Sequence, residues 1–187
     1  MQKGLNNYWN FSKTLSEFTN QKSQIKMITY TNKIPASEVI SNKIFTKESL
    51  LKLVRVWQFK SKKVVFTNGC FDILHRGHID YLAKASDLGN KIIIGINSDA
   101  SVKLLNKGDA RPFQDQESRA IILASLHFVD AVVVFNEDTP YELIKTVQPD
   151  VLAKGADYAP DKIVGYYIVT AKGGRVIFRF NLQRAVV

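Results

Sequence analysis

The sequence predicts an α/β fold, a doubly wound, five-stranded parallel sheet with helices on both faces. Three observations predict it. Short apolar runs recur near residues 63–68, 92–96, 131–135, 150–153 and 175–180, separated by stretches with helical spacing. The run Ile92–Ile96 is continuous rather than alternating, as expected of a parallel strand covered on both faces. The intervening stretches carry helix start and stop signals.

Residues 1–44 are rich in Asn, Lys, Ser and Thr and show no sustained period, so a basic, mobile N-terminal extension is expected there. Tyr8, Trp9, Phe11 and Phe18 leave open a short amphipathic helix docked on the domain or on a second subunit. Residues 45–62 predict a helix. Thr46 is its cap, and Leu50, Leu53, Val54 and Trp57 form one apolar stripe. The stripe should pack on the domain that follows, and the helix is a plausible element of a homodimer. Residues 63–187 form that domain, whose first strand is residues 63–68. A helix is expected over 77–88, stopped by Gly89, and another over 115–127, with His127 ending it in a structural role. Thr139, Pro140 and Glu142 predict a helix start in which Thr139 caps, Pro140 opens the first turn and Glu142 completes a capping box. Pro149 ends that helix region, and strands over 150–153 and 175–180 complete the sheet.

The net charge of +9 suggests a nucleic-acid partner until it is located. Residues 1–62 hold 11 basic side chains against 3 acidic ones, whereas residues 63–187 hold 15 against 14. The domain is therefore nearly neutral, and no nucleic-acid partner is expected. No apolar run approaches the roughly 18 residues of a membrane span, and no secretory signal is expected at the N-terminus. Cys70 is the only cysteine, so an internal disulfide is impossible, which fits a cytoplasmic location.

The chemistry concentrates in Thr67-Asn-Gly-Cys-Phe-Asp-Ile-Leu-His-Arg-Gly-His78, between the first strand and the first long helix. A helix start offers backbone N–H groups and the positive end of the dipole to a phosphate. His75 and His78 can face one anion from the first turn, each donating a hydrogen bond. Gly77 removes a side chain where a phosphate would approach, and Gly69 allows a tight turn after the strand. A lone His-x-Gly-His arises by chance, and one helical histidine is more often structural. The strand before the motif and the helix after it favour a functional site. In a doubly wound sheet such a site lies at the carboxyl ends of the strands, where the strand order reverses.

These residues resemble the cytidylyltransferase-like nucleotidylyltransferases, whose hallmark is the His-x-Gly-His loop. Within that family the stretches 66–78, Asn97-Ser-Asp99, Lys107-Gly-Asp-Ala-Arg-Pro112, Glu117-Ser-Arg119, Phe128-Val-Asp130, Glu137-Asp-Thr-Pro140 and Lys154-Gly-Ala-Asp-Tyr158 are most similar to the branch that makes ADP-heptose. The resemblance covers about residues 46–180. It implies a Rossmann-like fold of the HIGH nucleotidylyltransferase type and an enzyme that transfers AMP from ATP to D-glycero-β-D-manno-heptose 1-phosphate. The partners would be ATP and a sugar phosphate, with Mg²⁺ accompanying the nucleotide. A cytidylyltransferase acting on glycerol 3-phosphate or a similar alcohol phosphate is the alternative within the same chemistry. A nucleotide-binding module with impaired catalysis is the alternative outside it.

The resemblance also implies roles. His75 and His78 would stabilise charge on the triphosphate. Asn68, Gly69, Cys70, Phe71 and Gly77 would contact the nucleotide, Cys70 and Phe71 largely through their backbone. Cys70 is read as a small residue lining the turn, since no base arrangement for a nucleophile is evident. Asp72 either orients the loop or helps to hold Mg²⁺. Lys107 is the lysine expected to reach the phosphates, with Lys103 as the other choice. Asn106 is an apparent one-residue insertion beside it. Arg119 and Arg111 are each either a phosphate ligand or the ion-pair partner of a structural aspartate. Lys154, Gly155 and Asp157 stand at the ligand-facing edge, with Asp157 suited to a ribose or sugar hydroxyl. The family continues with a Ser/Thr-rich, phosphate-binding turn and a final helix, where this sequence has Phe180-Asn-Leu-Gln-Arg-Ala-Val-Val187. Tyr167 and Arg175 replace expected acidic residues, and Arg184 is a candidate substitute for the lost contacts.

Overall fold

The computed structural model describes residues 33–105, 111–155 and 162–178. The chain divides into two compact units, residues 1–39 and 40–187, with the boundary inside a short helix, α1 (Ala36–Ser41). The second unit continues with β1 (Ile44–Phe45), α2 (Lys47–Phe59), β2 (Val64–Gly69), α3 (Arg76–Ser86), β3 (Lys91–Asn97), α4 (Asp99–Leu104) and α5 (Gln116–Ser125). It ends with β4 (Ala131–Phe135), α6 (Tyr141–Val147), β5 (Val151–Ala153), α7 (Tyr166–Ala171) and β6 (Arg175–Ile177). No helix among the described residues is long and apolar enough to cross a membrane.

All strand pairs are parallel, in the order β1-β4-β3-β2-β5-β6. The sheet thus has six strands rather than the expected five. The extra one is Ile44–Phe45, which pairs with Val132 and Val133 at the edge. Ordered structure therefore reaches into the stretch read as a mobile extension. Two residues are too short to show a period, and this strand exists only because β4 offers it an edge.

Alternate strand residues feed opposite faces. Val64 and Phe66 of β2, Ile93 of β3 and Val133 of β4 pack under Leu50, Val54 and Trp57 of α2 and under Leu143, Ile144 and Val147 of α6. Ile94, Ile96 and Val132 pack on the other face against Leu82 of α3 and Leu123 of α5. Leu50, Val54 and Trp57 of the expected stripe of α2 are thus buried in the core with Leu53 half-buried against it, and Thr46 accepts from the Ser49 N–H at 3.2 Å as a helix cap.

Two local expectations change. Thr139 does not cap α6: the residue before that helix is Pro140, with no side-chain cap bond, because the helix starts one residue later than the capping box requires. Gly89 is required by close approach rather than by a left-handed stop. A Cβ there would lie 2.6 Å from Val65 Cγ2 and 2.7 Å from the Lys63 carbonyl oxygen.

From β2 the chain steps outward to β3 and β4, then crosses back to β5 on the other side of β2. The strand order therefore reverses between β2 and β5, and a crevice opens beyond their carboxyl ends.

Candidate active site

A cavity of about 1010 Å³ occupies this crevice. The turn after β2 forms one wall, from Asn68 to Ile73, followed by His75, Gly77 and His78 at the start of α3. Lys154 and Gly155, just past β5, form the facing wall. Of the residues expected at the site, the structure brings together Asn68, Gly69, Cys70, Phe71, Asp72, His75, Gly77, His78, Lys154 and Gly155. Lys107 and Asp157 lie outside the described residues. So do Asn106, Tyr158 and the segment 180–187 that contains Arg184.

The turn is held under local strain. Phe71 has φ 48°, a left-handed conformation that side-chain-bearing residues avoid. The tight-turn role expected of Gly69 thus falls on Phe71 instead. Gly69 serves it by omission, since a Cβ there would sit 3.0 Å from the Phe71 ring. The buried Phe71 ring meets His78 edge-on at 5.4 Å.

His75 caps α3. Its Nδ1 accepts from the Gly77 N–H at 3.1 Å, which leaves the proton of the neutral ring on Nε2 as a donor. The His75 carbonyl accepts from the His78 and Ile79 N–H groups. The helix start therefore spends its N–H groups internally more than the sequence suggests, and the imidazoles carry more of any anion binding. The His75 and His78 rings lie 4.0 Å apart at a 32° tilt. Burial, and then the neighbouring His75, hold His78 below the usual histidine range. The Ile73 backbone favours its charged form, yet no hydrogen bond of good geometry satisfies the buried Nδ1. A buried polar atom without a partner in a cleft marks a group that a ligand completes.

Lys154 donates from Nζ to Asn68 Oδ1, joining the ends of β5 and β2 across the crevice. Burial lowers its ammonium to about 8. Tyr81 also lines the cavity. Its hydroxyl and that of the fully buried Thr67 are 2.6 Å apart, and burial pushes the phenol up.

Arg119 is removed from the ligand set. It is fully buried and donates to the carbonyls of Cys70, Asn97 and Gln114 and to Asp99 Oδ1 at 2.6 Å. It is the ion-pair partner of an aspartate, fastening the turn to β3 and α4. Asp72 is likewise committed. Its Oδ1 accepts the Phe113 and Gln114 N–H groups and its Oδ2 accepts from Arg111 at 3.1 Å. That arrangement fits the loop-orienting role. Among the described residues, no cluster of His, Cys, Asp or Glu is placed to hold a metal. Lys103 is exposed on α4 and does not line the cavity. Cys70 Sγ donates to Asn97 Oδ1 at 3.8 Å, a contact that suits a residue lining the turn. His127 is exposed, with its ring against Phe128. Tyr167 and Arg175 are exposed and outside the cavity.

Sequence reasoning missed Asn97, Tyr81, Thr139 and Lys162, all of which line the cavity. Asn97 had a signal, a polar residue closing the apolar run beside the motif strand. Tyr81 had none, since an aromatic residue at helical spacing reads as core.

The cytidylyltransferase-like family matches residues 66–180. The chain belongs to that family, a family of nucleotidyltransferases. It is 52% identical over 127 residues to the bifunctional protein HldE of Wolinella succinogenes, an alignment covering 68% of this chain and 27% of that protein. It is 62% identical over 106 residues to the HldE of a Nitratiruptor species, covering 57% and 23%. The chain thus spans about a quarter of the length of the curated relatives it matches. Among solved structures it is similar to a lipopolysaccharide core biosynthesis protein from Thermoplasma volcanium. That match has a TM-score of 0.53 and 26% identity, and covers 63% of this chain and 97% of the other. A pantoate-beta-alanine ligase from Francisella tularensis shares the fold at a TM-score of 0.52 and 16% identity, covering 73% and 66%.

Proposed function

We propose that the chain transfers AMP from ATP to D-glycero-β-D-manno-heptose 1-phosphate, giving ADP-heptose and pyrophosphate for lipopolysaccharide core precursors. The observation that carries the transfer chemistry is the His75–His78 pair at the start of α3, facing a cavity whose other wall holds Lys154. The heptose acceptor is supported by the similarity to the HldE proteins and to the lipopolysaccharide core protein.

In this reading an oxygen of the sugar phosphate attacks the α-phosphorus of ATP in line. One P–O bond forms as the bond to the pyrophosphate oxygen breaks. No covalent enzyme intermediate is needed, so the residues act by position and charge. His75 Nε2–H donates to the triphosphate. His78, kept in its neutral form by burial, donates a ring N–H hydrogen bond as charge builds on the leaving group. Lys154 supplies a cation from the β5 side. Magnesium enters with ATP and neutralises phosphate oxygens, as part of the substrate.

The test is pyrophosphate release from four pairings, ATP or CTP with heptose 1-phosphate or glycerol 3-phosphate. Turnover with ATP and the heptose phosphate alone supports the reading. A preference for CTP and glycerol 3-phosphate replaces it with the alcohol-phosphate alternative, and ATP binding without turnover on any pairing replaces it with a binding module.

A further inference from the structure

Arg111 enters the cavity from the α5 side of the crevice. Its side chain is 41% exposed, whereas the side chain of its partner Asp72 is 4% exposed. Among the described residues it makes one hydrogen bond, from Nη1 to Asp72 Oδ2 at 3.1 Å. The guanidinium also lies 5.1 Å from the centre of the Phe113 ring. Asp72 is immobilised by the Phe113 and Gln114 N–H groups on its other oxygen. A guanidinium carries five N–H donors in a rigid fork. Asp72 takes one of them and fixes the plane.

Arg119 shows what a structural arginine looks like in the same loop. It is fully buried and makes four hydrogen bonds to protein oxygens. Arg111 is the opposite case: it lines the cavity, and among the described residues its guanidinium is hydrogen-bonded at one corner. Its holder, Asp72, lies three residues before His75, so the cation is fastened to the same turn that carries the histidines.

We propose that Arg111 is a phosphate-binding catalytic residue that grips the leaving pyrophosphate, with Asp72 as the positioning residue that aims it. This rests on the nucleotidyl-transfer reading above and adds a residue to it. The fork suits pyrophosphate, which presents paired oxygens to parallel N–H groups. Asp72 acts twice, holding the turn through its Oδ1 and the guanidinium through its Oδ2.

A purely structural role, neutralising buried Asp72, makes a different prediction. The discriminating variant is the double substitution Asp72→Asn with Arg111→Gln, which removes both charges together. Binding is measured calorimetrically with inorganic pyrophosphate, inorganic phosphate and ATP on the full chain, beside thermal unfolding and steady-state turnover. Arg111→Gln should weaken pyrophosphate binding at least tenfold and lower kcat more than it raises KM for the acceptor. Arg111→Lys should recover part of the loss, since it keeps charge without the fork. The double variant should recover the unfolding midpoint but not pyrophosphate binding. Recovery of both binding and turnover in the double variant overturns the proposal. Equal losses for phosphate and pyrophosphate, with acceptor KM raised instead, overturn the assignment to the leaving group. If the unsubstituted chain binds neither ATP nor pyrophosphate, the functional reading falls and this proposal with it. Wild-type binding with unaltered Arg111→Gln defeats the proposal alone.

Discussion

The two ends of the sheet treat polar residues in opposite ways. At the amino ends of the strands three polar side chains each receive a backbone N–H near the start of a neighbouring strand. Asp150, before β5, accepts the Val64 N–H at 2.8 Å, and Asp130, before β4, accepts the Ile92 N–H at 2.9 Å. Asn90, before β3, accepts the Lys63 N–H at 2.9 Å. In each case a side chain ahead of one strand receives the N–H near the start of its neighbour, as buried or edge backbone donors require. At the carboxyl ends of β2 and β5 the accounts stay open. His78 Nδ1 is buried with no well-aligned hydrogen bond, Lys154 is held to about 8, and Phe71 sits at φ 48°. Polar groups that complete the fold are satisfied within it, and groups that await a ligand are not.

The sharpest break of this comparison is His78→Ala. Removing a ring that stabilises transition-state charge should lower turnover by about 10²–10³-fold. The unfolding midpoint should fall only modestly, since what the fold loses is ring packing on Phe71 and His75 and a poorly aligned contact with the Ile73 backbone. Pyrophosphate release and thermal unfolding on the same preparation check both halves.

Lys154→Met comes next. Loss of a charge-assisted contact should reduce kcat/KM by about 10–100-fold. Stability should move the other way. Burial lowers the Lys154 ammonium from 10.5 to about 8, so the unfolded chain binds its proton more readily than the folded one. The charged lysine therefore destabilises the fold below pH 8, and that cost fades as pH rises from about 8 to 10.5. The methionine variant should gain up to roughly 1–3 kcal/mol near pH 7, less whatever the orphaned Asn68 costs. Turnover of the unsubstituted enzyme should decline above about pH 8, and Lys154→Arg should move that decline upward. A pH profile without the decline removes Lys154 from the phosphate site.

Much of this division was legible in the sequence. The five main strands and the cap at Thr46 follow from periodicity and helix start signals, and the ten residues found around the cavity were pointed to by the motif's place after a strand together with the family resemblance. What was not legible depends on partners distant in sequence. β1 needs the edge of β4 before Ile44–Phe45 has any reason to be extended. Arg119 looked equally suited to a phosphate or to an aspartate, because sequence shows neither its burial nor the carbonyls of Cys70 and Asn97 that surround it. Helices α4 and α7 have six residues each, too few to show a helical period. Gly89 was placed correctly for the wrong reason. Its backbone approach to Lys63 and Val65 exists only once β2 is formed, so Gly89→Ala should cost about 1–3 kcal/mol while leaving the site intact.

The smallest expected effect tests the comparison most directly, because it uses the residue type found at both ends. Asp130 and Asp72 each accept backbone N–H groups and a basic side chain: Lys91 at 2.7 Å for Asp130, and Arg111 at 3.1 Å for Asp72. The Asp130–Lys91 pair is partly exposed, with side chains 24% and 32% accessible, so solvent screens it. Asp130→Asn keeps an oxygen for the Ile92 N–H and loses only the ion pair. It should cost at most about 1 kcal/mol in chemical denaturation and leave kcat and KM unchanged. Lys91 does not line the cavity, and its ammonium lies 5.6 Å from the centre of the Trp57 ring. A loss of turnover in Asp130→Asn with the fold intact would mean that the amino end of the sheet reaches the site through β3 and β4. The separation of structural from functional aspartates by strand end would then fail.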